Sequence, residues 1–190
     1  MTMLIAGLLI FLGLHSIRIV APRLRDRLAA DLGEGPWKGL YSLLSGVGLA
    51  LVVVGFGRAR ASPAVLYVPA AALHGAAVVL LAAVFPLLLA AYLPGRIRTA
   101  LGHPMLAATV VWSLAHLLAN GRLADVLLFG GFLAWATADW IALRRKPRAG
   151  IRTLPAGPLN DVVAVVGGLA LYGAMLLGLH ARLVGVAPIG

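Results

Sequence analysis

The chain has no cysteine and very few charges. Of its 190 residues only 12% are charged, and only 6 are Asp or Glu. Without cysteine there can be no disulfide, no thiolate metal ligand and no cysteine nucleophile. Soluble domains carry charge on roughly a quarter of their residues, so this chain has too little polar surface to cover a body in water. Nucleotide and zinc-hydrolase signatures are also missing: there is no P-loop, no dinucleotide fingerprint and no His-Glu-x-x-His motif.

What fills the chain is apolar. Hydrophobic residues make up 62% of it, and the mean hydropathy is +0.99. Apolar runs near 20 residues long match a hydrocarbon core of about 30 Å crossed as helix. The fold expected is all-α, a polytopic transmembrane helix bundle of about six spans forming one integral-membrane domain over residues 1–190. The spans fall near Thr2–Ala21, Gly39–Gly57, Pro69–Leu93, Pro104–Asn120, Leu123–Leu143 and Asp161–Val186. The first carries no basic lead-in and no small-residue cleavage site, and reads as a retained span. Pro86 removes one backbone donor within the third span, frees the Ala82 carbonyl and predicts a kink. Gly46/Ala50, Gly130/Ala134/Ala138 and Ala164/Gly168 are small residues at i, i+4, where helices can approach closely.

A net charge of +10 would suggest nucleic acid in a soluble protein, but here the basic residues sit in short loops and set topology. Of the 16 Lys and Arg residues, all but Arg58, Arg60, Arg122 and Arg182 fall in the first, third and fifth loops or at their edges. The positive-inside rule then puts those loops in the cytoplasm and both termini in the periplasm. In the first loop Asp26, Asp31 and Glu34 share the segment with Arg23, Arg25 and Arg27, which suggests a short interfacial helix ended by Gly33. Trp37, Tyr41, Tyr67, Trp135 and Trp140 lie near span ends and read as aromatic-belt anchors. Asp139 is placed to pair with the Arg144–Lys146 run. Asn160 is a candidate N-cap and Asp161 a complement to the last helix's dipole.

The histidines carry the functional question. His15 and His116 lie in spans otherwise almost free of ionisable groups, and an imidazole in a bilayer must be paired, hydrated or metal-bound. The readings are a haem or metal ligand, a proton-handling site, or an interhelical hydrogen bond. Trp112, Ser113 and Asn120 stand at i−4, i−3 and i+4 from His116, and Ser113 or Asn120 is placed to fix its tautomer. Arg18, at i+3 from His15, is placed to meet an anionic group. Depth argues against pairing the two. His15 lies roughly 13 residues from the outer end of its span and His116 only about 4, a gap of over ~10 Å at 1.5 Å per residue. His74 and His180 match His116 better in depth, and His74 is the alternative second ligand. His103, beside Pro104 at the inner boundary, reads as solvated or as a helix cap.

Several motifs occur together: Gly13-Leu14-His15-Ser16-Ile17-Arg18, Gly33-Glu34-Gly35-Pro36-Trp37-Lys38-Gly39-Leu40-Tyr41-Ser42, His103-Pro104-Met105-Leu106, Trp112-Ser113-Leu114-Ala115-His116-Leu117-Leu118-Ala119-Asn120-Gly121 and Leu128-Phe129-Gly130. With these motifs the chain resembles the NnrU family of bacterial membrane proteins. The motif-bearing part is 1–143, and the additional C-terminal span at 161–186 is less diagnostic. The resemblance implies a multi-pass protein of the bacterial inner membrane, associated with denitrification and nitric oxide metabolism. It also implies kinship with 15-cis-zeta-carotene isomerase, a membrane enzyme that uses haem b. The isomerase's two proposed haem ligands map onto His15 and His116. Its cysteine three residues before the second histidine is replaced here by Ser113, so no thiolate can take over. The partners implied are the bilayer and a lipid-soluble or gaseous small molecule, with no nucleic acid. Two other readings stand beside it. One is a non-catalytic membrane assembly or transport factor. The other is an S-adenosylmethionine-dependent membrane methyltransferase, suggested by the His103-Pro104 pair but lacking its preceding arginine, which is Gly102 here.

Overall fold

Proline and glycine set the first helix ends. Helix α1 (Thr2–Val20) stops just before Pro22, which takes the first turn of α2 (Pro22–Leu32). The short loop helix expected from the charge pattern is therefore present. It ends at Gly33, whose φ of +82° is a backbone conformation that other residues rarely adopt. Helix α3 (Glu34–Ala59) then begins five residues earlier than hydropathy places it, with a Lys38–Glu34 ion pair supporting its first turn.

The computed structural model describes residues 1–61, 64–145 and 153–188. The remaining helices are α4 (Ala71–Leu81), α5 (Val84–Tyr92), α6 (Arg96–Leu101), α7 (Pro104–Ala119), α8 (Leu123–Arg145) and α9 (Asn160–Ala174). A π-helical turn, Met175–Leu179, leads into α10 (His180–Val184). Among the described residues the sole extended pairing is an isolated antiparallel bridge between Val65 and Arg122. Lys146, Arg148 and Arg152, which the topology reading places in the fifth loop, lie outside the described residues.

Among the described residues five helical stretches are long and apolar enough to cross a membrane: Thr2–Val20, Glu34–Ala59, Ala71–Tyr92, Leu123–Arg145 and Asn160–Val184. The fourth expected span is the apolar helix α7, with 16 residues. At 1.5 Å per residue it is roughly 24 Å long, short of a hydrocarbon core of about 30 Å.

The described chain packs as two units, which are taken in turn. The first comprises Met1–Val68 and Asn120–Arg145. In it α1 packs chiefly on α3 and then on α8. The α1–α3 contact is made backbone to backbone. A Cβ added at Gly7 would lie 2.6 Å from the Val52 nitrogen, one at Gly48 would lie 2.9 Å from the Phe11 nitrogen, and one at Gly55 would overlap the Leu4 backbone. Leu4 and Val52 are buried in this seam. The expected Gly46/Ala50 pair is one step out of phase: a Cβ at Gly46 would meet nothing within 4 Å. Periodicity alone located the helix but not its contact face.

At one end of this unit the 64–67 segment is tied to the start of α8. Leu66 and Tyr67 donate their amides to the Gly121 carbonyl, and Leu123 donates to that of Ala64. The Tyr67 hydroxyl reaches the Asn120 carbonyl at 2.8 Å. Gly121 is crowded against the Tyr67 carbonyl and has no room for a side chain. Asp125, 5% exposed, accepts the Arg122 amide at 3.3 Å and so caps α8.

The second unit comprises Pro69–Ala119 and the residues beyond 145. Its longest apolar stretch breaks where Pro86 predicts. The Ala82 and Ala83 amides turn to the carbonyls three residues back, Val79 and Leu80. This deprives the Val78 carbonyl of its helical partner, and the Tyr172 hydroxyl on α9 donates to it at 2.5 Å. The kinked helix seats on α9 at Gly168, where any Cβ would collide with Pro86. Ala164, one turn earlier, is fully buried, so this small-residue pair does mark a contact.

Asn160 acts differently from expectation. It caps no helix; its amide donates to the Pro94 and Pro155 carbonyls at 2.9 and 3.0 Å. Asp161 stands in the first turn of α9 as expected and also accepts the Arg96 and Ile97 amides of α6 at 2.8 and 3.2 Å.

The glycine seam yields a direct test. Gly55→Val should cost about 1–3 kcal/mol, the usual scale of overpacking a close contact, read as a lower unfolding midpoint in detergent. Gly46→Ala should leave the midpoint nearly unchanged. Equal effects of the two would show that the seam is misplaced.

Candidate functional site

His15 lies where the three long helices of the first unit meet. Its ring packs on Phe11, one turn earlier on α1, with centroids 4.3 Å apart and planes tilted by 30°. Tyr41 from α3 stands at 5.4 Å, and Trp135 from α8 meets it edge-on at 5.9 Å. Tyr41 and Trp135, read from sequence as belt anchors, instead form an aromatic enclosure around an imidazole. Phe132 extends it, 5.9 Å from Phe11. Hydropathy could not show this, because an aromatic near a span end looks the same whether it faces lipid or a neighbouring helix.

The imidazole's Nδ1 lies 2.7 Å from the Phe11 carbonyl oxygen. A carbonyl only accepts, so Nδ1 is the donor, and in the neutral ring the lone pair is then on Nε2. Close by, one buried polar atom has no hydrogen-bond partner, Nε1 of Trp135. An unmet buried donor costs about 1–3 kcal/mol. Arg18 is exposed, one turn beyond His15 at the end of α1.

His116 belongs to the second unit, near the end of α7. It repeats the local arrangement of His15. An aromatic residue, Trp112, precedes it by four; the rings are 5.2 Å apart, and Nδ1 lies 2.8 Å from the Trp112 carbonyl. The tautomer is therefore set by the helix backbone and not by Ser113. Ser113 is fully buried, and its hydroxyl has no partner. Asn120 directly follows Ala119, the last residue of α7, and its carbonyl takes the Tyr67 hydroxyl.

The other histidines have different settings. Nε2 of His74 donates to the Pro188 carbonyl at 2.9 Å, and Nδ1 of His180 donates to that of Val186 at 2.7 Å. Both hold the chain's last described segment. His74 thus keeps its lone pair on Nδ1, the nitrogen nearer its own backbone. His103 opens α7, its carbonyl accepting the Leu106 and Ala107 amides. Among the described residues no three His, Asp or Glu side chains converge to hold a bare metal ion. Asp139 belongs to the same α8 end as Trp140, over whose ring the Arg144 guanidinium lies at 5.6 Å.

The tautomers are directly measurable. In protein labelled with nitrogen-15 at histidine and free of ligand, His15 and His116 should each show a pyrrole-type Nδ1 and a pyridine-type Nε2, and His74 the reverse. A pyrrole-type Nε2 at His15 or His116 would overturn the assignment.

No curated protein and no solved structure matches the chain. The family model described as NnrU protein matches residues 3–188, taking in the last apolar helix as well as the motif-bearing part, and the chain belongs to the NnrU family.

Proposed function

We propose that this membrane protein binds haem b, which His116 and His15 would hold, and acts on a lipid-soluble or gaseous small molecule. The observation that carries the proposal is the tautomer the two residues share. A backbone carbonyl one turn earlier holds Nδ1–H of each, which leaves the basic Nε2 lone pair that an axial ligand uses. The unmet polar atoms of Trp135 near His15, and of Ser113 one turn before His116, suit a bound group that is not among the protein's own atoms. A porphyrin brings four nitrogens of its own, so two protein ligands suffice to hold its iron.

Iron in such a group would supply one-electron or ligand-exchange chemistry. The protein's part is to orient and to exclude water. The i−4 carbonyl fixes each imidazole, the Phe11–Tyr41–Trp135 enclosure keeps the surroundings of His15 apolar, and Arg18 is placed to neutralise a propionate. The family's association with denitrification, and its kinship with the carotene isomerase, make nitrogen-oxide metabolism or isomerase-like chemistry the two reaction settings.

Protein purified in detergent from haem-replete cells should show a Soret band. His116→Ala and His15→Ala should each abolish or strongly shift it, since no thiolate can substitute. His103→Ala should leave it intact. A colourless wild-type protein would defeat the proposal and favour a non-catalytic membrane factor. A spectrum that survives His15→Ala but not His74→Ala would move the second ligand to His74.

The orientation proposed is that of a bacterial inner-membrane protein with both termini in the periplasm, α7 crossing despite its length. Reporter fusions after Arg60 and Arg122 should then read periplasmic and one after Arg98 cytoplasmic. A cytoplasmic C-terminus would mean that α7 does not cross.

A further inference from the structure

Within the second unit an open groove of about 960 Å³ is lined by Arg96, Arg98 and Thr99 on one side and by Ala156, Gly157 and Pro158 on the other. We propose that this groove binds the phosphate of an anionic phospholipid headgroup, with Arg96 and Arg98 as its cationic contacts.

Its position is the first argument. The groove lies where the apolar stretch Ala71–Tyr92 ends and the apolar stretch Asn160–Val184 is about to begin, so both walls sit at the water boundary of the hydrocarbon. Its construction is the second. The two walls are cross-tied: the Leu154 amide donates to the Tyr92 carbonyl at 2.9 Å, and the Asn160 side chain bridges the Pro94 and Pro155 carbonyls. Gly95 is pressed so closely against the Asp161 carboxylate that no side chain fits there.

The third argument is charge. Asp161 is the carboxylate adjoining the groove, and its two oxygens accept the Arg96 and Ile97 backbone amides, so it forms no ion pair with either arginine. The ion pairs Arg25–Asp26 and Glu34–Lys38 both lie outside this unit. Arg98 uses one guanidinium nitrogen on the Ala91 carbonyl at 2.8 Å, which fixes the fork, and a guanidinium has five N–H donors in all. Two arginines beside a backbone-lined groove at headgroup depth suit a phosphate oxygen fork.

The test is to titrate short-chain phosphatidylglycerol into the detergent-purified full chain and follow the unfolding midpoint. Phosphatidylcholine of equal chain length and inorganic phosphate serve as the other two probes. Phosphatidylglycerol should raise the midpoint at concentrations where the other two do not. Arg96→Gln should weaken it about fivefold, the scale on which one basic residue acts at an anionic surface; the Arg96 side chain takes no part in the ties, so the fold is kept. Arg98→Gln should do the same, and Arg27→Gln on α2 should not. Equal response to phosphatidylcholine would overturn the role of charge. Equal response to inorganic phosphate would make the ligand a soluble phosphate compound and overturn the lipid assignment. A loss with Arg27→Gln as large as with Arg96→Gln would reduce the effect to general surface charge and overturn the groove.

Discussion

In a hydrocarbon solvent apolar side chains gain nothing by leaving lipid for one another, so helices associate only where their backbones can come very close. That constraint organises each unit of this protein. Gly7, Gly48 and Gly55 bring α1 and α3 into backbone contact, and Gly168 receives the Pro86 kink of α5. The enclosure of His15 follows from the first of these contacts. With α1 and α3 that close, Tyr41 reaches an imidazole on α1, and α8 completes the ring wall with Trp135. A bulkier seam would separate the rings and open the imidazole to lipid.

A second constraint is that every carbonyl in the membrane needs a donor. The kink at Pro86 strands the Val78 carbonyl, and Tyr172 supplies the missing hydrogen. Pro94 follows the end of α5 and Pro155 lies in the loop before α9, and one asparagine amide serves both carbonyls. Thus the kink at Pro86 and the two loop prolines each have a polar side chain of α9 answering a carbonyl beside them. These ties span 94, 66 and 5 residues of sequence, and the longer two hold α9 to helices far from it in the chain.

Much of the helical plan was legible because it depends on local signals. Pro22, Gly33, Pro86 and Pro104 mark breaks or starts that the chain obeys, and hydropathy separates the apolar runs from the loops. What sequence could not reveal was the direction in which each residue faces. Gly46 and Gly48 are equally small, and only the second lies at a contact. Tyr41 and Trp135 sit at belt-like positions yet surround a histidine. Asn160 looks like the cap of α9 but serves the Pro94 and Pro155 carbonyls, and Asp161, in the first turn of α9, also holds the start of α6. In each case the helix was predictable from neighbours within a turn, whereas its partner depended on contacts tens of residues away.

The two central histidines show how a local rule can prepare a distant site. An imidazole N–H left unpaired in an apolar interior would cost a buried hydrogen bond, and the nearest acceptor on a helix is the carbonyl four residues back. Phe11 and Trp112 occupy those positions, and their rings also pack against the imidazole one turn later. The same spacing therefore supplies an acceptor for Nδ1 and an apolar wall for the ring. It leaves Nε2, the nitrogen farthest from the backbone, carrying the lone pair. An aromatic residue followed four later by histidine is thus enough to set the imidazole's tautomer before any ligand arrives. His74 lacks this arrangement: Ala70 stands four residues before it, outside α4, and its Nε2 turns to the carbonyl of Pro188.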